Sequence, residues 1–129
     1  MSFNVVAIGK VESALTDRAE APRQGDEGAP EAVIAVDPPF AAALDGIAAG
    51  DRLLILTWLH LGDRAVLRTH PRGDTTRAEQ GVFATRSPDR PNPIGLHPVE
   101  VLTIDGNRLR VAPLEAIAGT PVIDIKPEL

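Results

Sequence analysis

The sequence contains no cysteine and no tyrosine, and its aromatic residues are three phenylalanines and one tryptophan. Without cysteine the chain has no disulfides, no thiolate nucleophile and no cysteine-ligated zinc. The three histidines, His60, His70 and His97, lie ten and twenty-seven residues apart, without the helical i, i+4 spacing of a zinc site. We therefore expect no metal site, and few aromatic platforms for stacking an extruded base.

Long apolar runs are also lacking. None approaches the roughly 18 residues that a membrane span needs. The first four residues, Met-Ser-Phe-Asn, carry neither the basic nor the apolar region of a secretory signal. We expect a cytoplasmic protein with no membrane partner. A chain of 129 residues supports one core, so residues 1–129 are predicted to form a single domain.

The formal net charge is −5, which argues against a surface that binds nucleic acid everywhere. The stretch 60–90 is nevertheless locally basic, with six arginines against four acids. Every basic residue there is arginine, whose planar guanidinium suits bidentate contact with phosphate or carboxylate. A binding surface and a solvated loop both remain open for this stretch.

Twelve prolines and eleven glycines disfavour long helices. The apolar patterns predict an all-β fold, a small closed or partly open β-barrel of about seven short strands with one short helix at most. The predicted strands are 3–11, 32–36, 53–61, 65–69, 99–104, 109–111 and 121–125. Gly62-Asp63 is predicted as the turn that pairs 53–61 with 65–69, and Asp105-Gly-Asn107 as a hairpin turn. The short helix falls on 40–46, and 12–30 is predicted to be a loop.

Residues 86–95 read Arg-Ser-Pro-Asp-Arg-Pro-Asn-Pro-Ile-Gly. Each proline fixes φ near −65° and pushes the residue before it toward extended geometry. A loop stiffened in this way holds Arg86, Arg90 and Asn92 at low entropic cost, as a preformed polar site requires.

The longer segment 81–96 resembles the signature of the TsaA-like family, also called the TrmO family. Further segments at 8–13, 22–24 and 119–127 support the resemblance, which spans most of the chain. The resemblance implies a β-barrel that binds S-adenosylmethionine, usually as a homodimer. It also implies methyl transfer to N6 of threonylcarbamoyl-adenosine at position 37 of tRNA.

Carried over by motif, the resemblance implies cofactor contacts in four parts of the chain. These are Pro22, Arg23 and Gln24; His60 and Leu61; Arg86 and Leu96; and Gly119, Thr120, Pro121 and Val122. Structural alternatives remain open: Arg23 as a solvated side chain, His60 as a hydrogen-bonded core residue, and 119–122 as a simple turn. Arg90 and Asn92 are predicted to shape the loop or bind substrate.

Methyl transfer from a sulfonium is a direct displacement, so the protein mainly aligns the reacting atoms. Asp124 is a candidate to collect the proton that N6 releases, although it shares a strand face with Lys126 and could form an ion pair there. Two other functions stay open because Asp26, Glu27 and Ala118 depart from the family pattern. One is a methyltransferase for a small molecule or a protein, and the other is a non-catalytic S-adenosylmethionine-binding module.

Overall fold

A computed structural model describes residues 1–16, 21–22 and 29–129. Its eight strands are β1 (Gly9–Glu12), β2 (Ala32–Val36), β3 (Arg52–Trp58), β4 (Arg68–Thr69), β5 (Gln80–Gly81), β6 (Ile94–Asp105), β7 (Arg108–Ala112) and β8 (Pro121–Pro127). Three 3₁₀ segments, Pro38–Leu44, Pro71–Gly73 and Val82–Ala84, complete the regular structure of the described residues.

Six of these strands close into a barrel in the order β1-β2-β7-β6-β3-β8, and every neighbouring pair is antiparallel. The remaining strands, β4 and β5, form a separate two-stranded sheet. The predicted small all-β barrel is confirmed. Closure leaves the six strands without a free edge, which satisfies their backbone groups and protects them from pairing with other chains.

The barrel interior is filled by branched aliphatic side chains that alternate with outward-facing residues along each strand. On β6 the buried positions are 95, 97, 99 and 101, and the residues between them are exposed. The core is formed by Val11, Ala32, Ile34, Val36, Leu53, Ile55, Val99, Val101, Leu109, Val111, Leu114, Ala116 and Val122. Alternation with period two is what a strand buried on one face requires.

Several predicted elements agree with the structure. The strand 32–36 coincides with β2, and the hairpin 105–107 joins β6 to β7 with Gly106 at φ 60°. The short helix predicted over 40–46 is a 3₁₀ segment that begins earlier, at Pro38, and ends at Leu44. The predicted last strand extends two residues further, to Pro127.

Four strand predictions were wrong in extent or partner. The strand predicted over 99–104 begins five residues earlier, at Ile94. The first strand begins at Gly9 rather than residue 3, and Phe3, Val5 and Val6 are exposed. The strand predicted over 53–61 ends at Trp58. The stretch 65–69 contributes only β4, which pairs with β5, whereas β3 pairs with β6 and β8. Alternation of apolar residues marks extended chain, but it does not specify the strand that lies alongside.

The topology brings the ends of three strands together at one end of the barrel. Because β6 and β8 both run antiparallel to β3, the end of β3 lies beside the starts of β6 and β8. The connection from β3 to β6, residues 59–93, covers that end and carries β4 and β5. No helix of the described residues is long and apolar enough to cross a membrane.

Candidate functional site

A cleft of about 1340 Å³ opens at the covered end of the barrel. One wall is formed by the start of β6 and by residues 115–117 and 120, and the other by the connection 59–93. Ordinary small-molecule pockets measure about 300–1,000 Å³. The cleft therefore has room for a nucleoside-sized ligand together with part of a second molecule.

Most of the predicted site residues that the structure describes line this cleft, although they are far apart in the sequence. The lining includes Pro22, His60, Leu61, Arg86, Leu96 and Thr120, as well as Arg90 and Asn92. Arg23 and Gln24 lie outside the described residues. This convergence follows from the barrel closure, because the turn before β8 is brought next to the start of β6 across β3.

The other predicted residues do not line the cleft. Gly119 lies in the turn before β8 with φ 86°. Pro121 pairs with Lys10 of β1, and Val122 is buried in the core. Asp124 lies further along β8, where its Oδ2 is 3.0 Å from Lys126 Nζ. Its part in catalysis stays a prediction.

The connection 59–93 is held in shape by arginine side chains. The Arg90 guanidinium donates to the carbonyl oxygens of Val82, Thr85 and Ser87 at 3.0–3.1 Å. Arg64 donates to the Pro91 carbonyl and to Asn92 Oδ1, and its guanidinium lies 5.1 Å from the Trp58 ring centroid. The hydrogen bond from Arg64 to its side chain favours a loop-shaping role for Asn92.

Arg86 differs from these arginines. It lines the cleft and is exposed, and its guanidinium makes no hydrogen bond or ion pair to any residue in 1–16, 21–22 or 29–129. The neighbouring Phe83 also lines the cleft and is 81% exposed. An unpaired cation beside an exposed aromatic ring can bind an anion or stack on a base.

Two lining residues belong to a buried polar chain that sequence reasoning did not connect. His97 Nε2 is 2.7 Å from Thr57 Oγ1, and His97 Nδ1 is 2.5 Å from Glu115 Oε1. Thr57 is fully buried and His97 is 3% exposed. Gly95 became a signal only once β6 was seen to begin at Ile94, because a glycine inside a strand marks close approach of another group and the predicted strand began at residue 99.

No group of three histidines, cysteines or carboxylates in the described part of the chain could hold a metal ion. The cleft does fit S-adenosylmethionine. Its lining carries the kinds of group that such a cofactor needs, an exposed guanidinium on Arg86 and apolar side chains at Leu59, Leu96 and Ile117.

The protein is a small closed β-barrel with a large cleft beneath a long connection at one end. The chain belongs to a family described as the tRNA-methyltransferase O N-terminal domain, whose profile matches residues 10–129. This confirms the resemblance drawn from the signature segment.

Named relatives share much of the sequence. A probable S-adenosyl-L-methionine-binding protein of Methanothermobacter thermautotrophicus is 45% identical over 127 residues, covering 98% of this chain and 90% of that protein. An S-adenosyl-L-methionine-binding protein of Archaeoglobus fulgidus is 44% identical over 119 residues, covering 92% of this chain and 84% of that protein.

A solved structure shares the fold. The crystal structure of TrmO from Pseudomonas aeruginosa superposes with a TM-score of 0.78 at 30% identity. All of this chain is covered, but it spans only 57% of the crystallised chain.

Proposed function

We propose that the chain binds S-adenosylmethionine in the cleft and transfers its methyl group to N6 of threonylcarbamoyl-adenosine at position 37 of tRNA. The observation that carries the proposal is the convergence of the motif residues Pro22, His60, Arg86 and Leu96 on one cleft. The names of the relatives and of the family support the cofactor and the class of reaction.

When bound, S-adenosylmethionine supplies a methyl group activated by its positively charged sulfur. The chain supplies orientation. Arg86 binds the methionine carboxylate, Leu96 and Ile117 pack against the adenine, and Thr120 fixes the turn beside them through its hydroxyl, which donates to the Ile117 carbonyl at 2.7 Å. Orientation of this kind is the main contribution a protein makes to a direct displacement.

The acceptor side is supported by Phe83 and the local positive charge. An exposed phenyl ring at the cleft suits stacking of a nucleobase that is splayed out of a single-stranded loop. Arg72 and Arg77 line the same cleft and suit contact with the RNA backbone. A nucleic-acid acceptor therefore fits this site despite the net charge of −5.

Calorimetric titration with S-adenosylmethionine tests the cofactor first. The Arg86→Ala variant should weaken binding at least tenfold because it removes the charge-assisted contact with the carboxylate. Arg52→Ala is the matched control, since Arg52 lies at the opposite end of β3 and pairs with Glu128. If the Arg86→Ala variant bound S-adenosylmethionine as tightly as the Arg52→Ala control, the proposed cofactor arrangement would be wrong.

Methyl transfer is tested with a labelled cofactor and purified tRNA, with or without the threonylcarbamoyl group on adenosine 37. We expect incorporation only into the threonylcarbamoylated tRNA. Cofactor binding without transfer to either tRNA would instead favour a methyltransferase of another substrate or a non-catalytic binding module.

The homodimer expected from the resemblance is a further proposal, since a second copy could complete a site that must hold both a cofactor and a tRNA. Sedimentation at micromolar concentration tests it. A monomer under those conditions would contradict it.

A further inference from the structure

The buried chain Thr57–His97–Glu115 has directions that follow from the chemistry of its atoms. A carboxylate oxygen only accepts, so His97 Nδ1 carries the hydrogen that is donated to Glu115 Oε1. In the neutral ring Nε2 is then an acceptor, and the Thr57 hydroxyl donates to it. The two contacts fix the ring plane of His97 and, for a neutral ring, its tautomer.

The backbone is built to accommodate this chain. Thr57 lies opposite Gly95 in the β3–β6 register, and His97 follows two residues later on the same face of β6. A Cβ at position 95 would lie 2.4 Å from Thr57 Oγ1 and 2.6 Å from His97 Nε2. The contact between Thr57 and His97 therefore requires glycine at position 95.

An irregularity of the sheet lies at the same place. The β3–β8 register shifts between Leu56 and Thr57, where Leu56 pairs with Asp124 and Thr57 with Val122. The extra residue is Ile123 of β8. Bulges of this kind re-aim side chains next to functional sites.

Glu115 presents its second oxygen to the cleft. Its side chain is only 13% exposed and lines the cleft, and Oε2 has no hydrogen-bond partner among the described residues. No side-chain oxygen of those residues is both fully buried and unpartnered, so Oε2 of this cleft-lining residue keeps some solvent exposure. The other carboxylate of the lining, Asp89, already accepts from the Asp63 backbone N–H.

We infer that Glu115 accepts the proton released by the nitrogen that receives the methyl group, and that His97 and Thr57 are positioning residues for its carboxylate. The inference rests on the proposed methyl transfer. In that step the acceptor nitrogen forms a bond to the methyl carbon while the carbon–sulfur bond breaks and its electron pair stays on sulfur. The N–H proton passes to Glu115 Oε2 and leaves through the cleft to water.

Charge movement favours the nitrogen over the sulfur as the partner of Glu115. Positive charge passes from the sulfur to the nitrogen during transfer. A carboxylate beside the nitrogen therefore interacts most strongly in the transition state, whereas one beside the sulfur stabilises the starting complex and does not raise the rate. Rigid support by a buried histidine is also the arrangement that orients a general base.

The Glu115→Gln variant tests the inference, because glutamine keeps the size and can still accept from His97 Nδ1 but cannot take a proton. The single-turnover rate of methyl transfer to threonylcarbamoylated tRNA should fall about 100-fold or more. The dissociation constants for S-adenosylmethionine and for tRNA should stay within about threefold. Glu100→Gln is the matched control, an exposed carboxylate on the outer face of β6.

The positioning residues are tested by Thr57→Val and Thr57→Ser. Valine should lower the same rate about tenfold and change the imidazole N–H signals of His97 in nitrogen-15 NMR spectra, which report the tautomer without any cofactor. Serine restores the hydroxyl and should recover both.

Three results would overturn the inference while leaving the proposed function intact: a Glu115→Gln rate within threefold of the unaltered protein, a loss confined to cofactor affinity, or a comparable rate loss in Asp124→Asn with none in Glu115→Gln. An unaltered protein that binds cofactor but transfers no methyl group to tRNA overturns the proposed function and this inference with it.

Discussion

Replacing Gly95 by alanine should force apart the Thr57–His97 contact without altering any charge. The added Cβ would lie 2.4 Å from Thr57 Oγ1, about 1 Å short of an ordinary contact. Overpacking costs about 1–3 kcal/mol, and an unpaired buried polar group costs about as much again. Loss of glycine's backbone freedom in the unfolded chain returns up to about 1 kcal/mol, so we expect a net loss of about 2–4 kcal/mol.

Urea denaturation followed by tryptophan fluorescence measures this loss, because Trp58 is the one tryptophan of the chain. With a denaturant slope of about 2 kcal/mol per molar, the midpoint should fall by about 1–2 M. The matched control is Gly81→Ala, also within the signature segment, where the nearest atom to the new Cβ is the Leu67 carbonyl oxygen at 4.0 Å. That variant should leave the midpoint unchanged or raise it by up to about 0.5 M.

The double variant Thr57→Ala/Gly95→Ala sharpens the comparison. Removing the Thr57 hydroxyl removes the closest clash, so the two substitutions together should cost less than the sum of their separate costs. A Gly95→Ala midpoint within about 0.3 M of the unaltered protein, or an equal loss in Gly81→Ala, would refute the role assigned to this glycine.

Three further predictions concern arginines outside the buried chain. Arg90→Ala should destabilise the protein by about 1–3 kcal/mol by freeing three carbonyl groups, and lysine should not restore it, as urea denaturation would show. Arg64→Ala should change Trp58 emission by removing the stacked guanidinium, and an unchanged spectrum would contradict the 5.1 Å contact. The hydrogen bond from Arg108 lowers the pKa of Glu12 below its ordinary value of 4.5. The ion pair therefore stabilises the fold fully above pH 4.5, and this stabilisation is lost as the pH falls through the lowered pKa. Glu12→Gln should therefore be destabilising near pH 7 and equal to the unaltered protein at strongly acidic pH, measured by denaturation across a pH series.

The barrel could be predicted because its strands carry their own signals. Alternation marked β2 and β8, and Asp105-Gly106-Asn107 marked the hairpin between β6 and β7. Strand partners were harder, since β3 pairs with two strands that follow it by more than thirty residues. The prediction that 65–69 lies alongside β3 followed the rule that neighbouring strands pair, which a long covering connection breaks.

The candidate site was predictable where the motif is contiguous and was missed where it depends on closure. Arg86 and Leu96 were found from the signature segment, and both line the cleft. Glu115 was not found, because its link to His97 joins residues eighteen positions apart that meet only when the chain after β7 passes the start of β6. Local pattern carries no information about such a contact.

The alternation along β6 also limits how this protein can vary in length. Gly95, His97 and Val99 face inward because each is two residues from the next. A single inserted or deleted residue between Gly95 and Val99 would turn the residues on one side of the change to the opposite face. Homologues should therefore differ in length within the connection 59–93 but keep the spacing from Gly95 to Val99, a pattern that a sequence alignment would reveal without any biochemical assay.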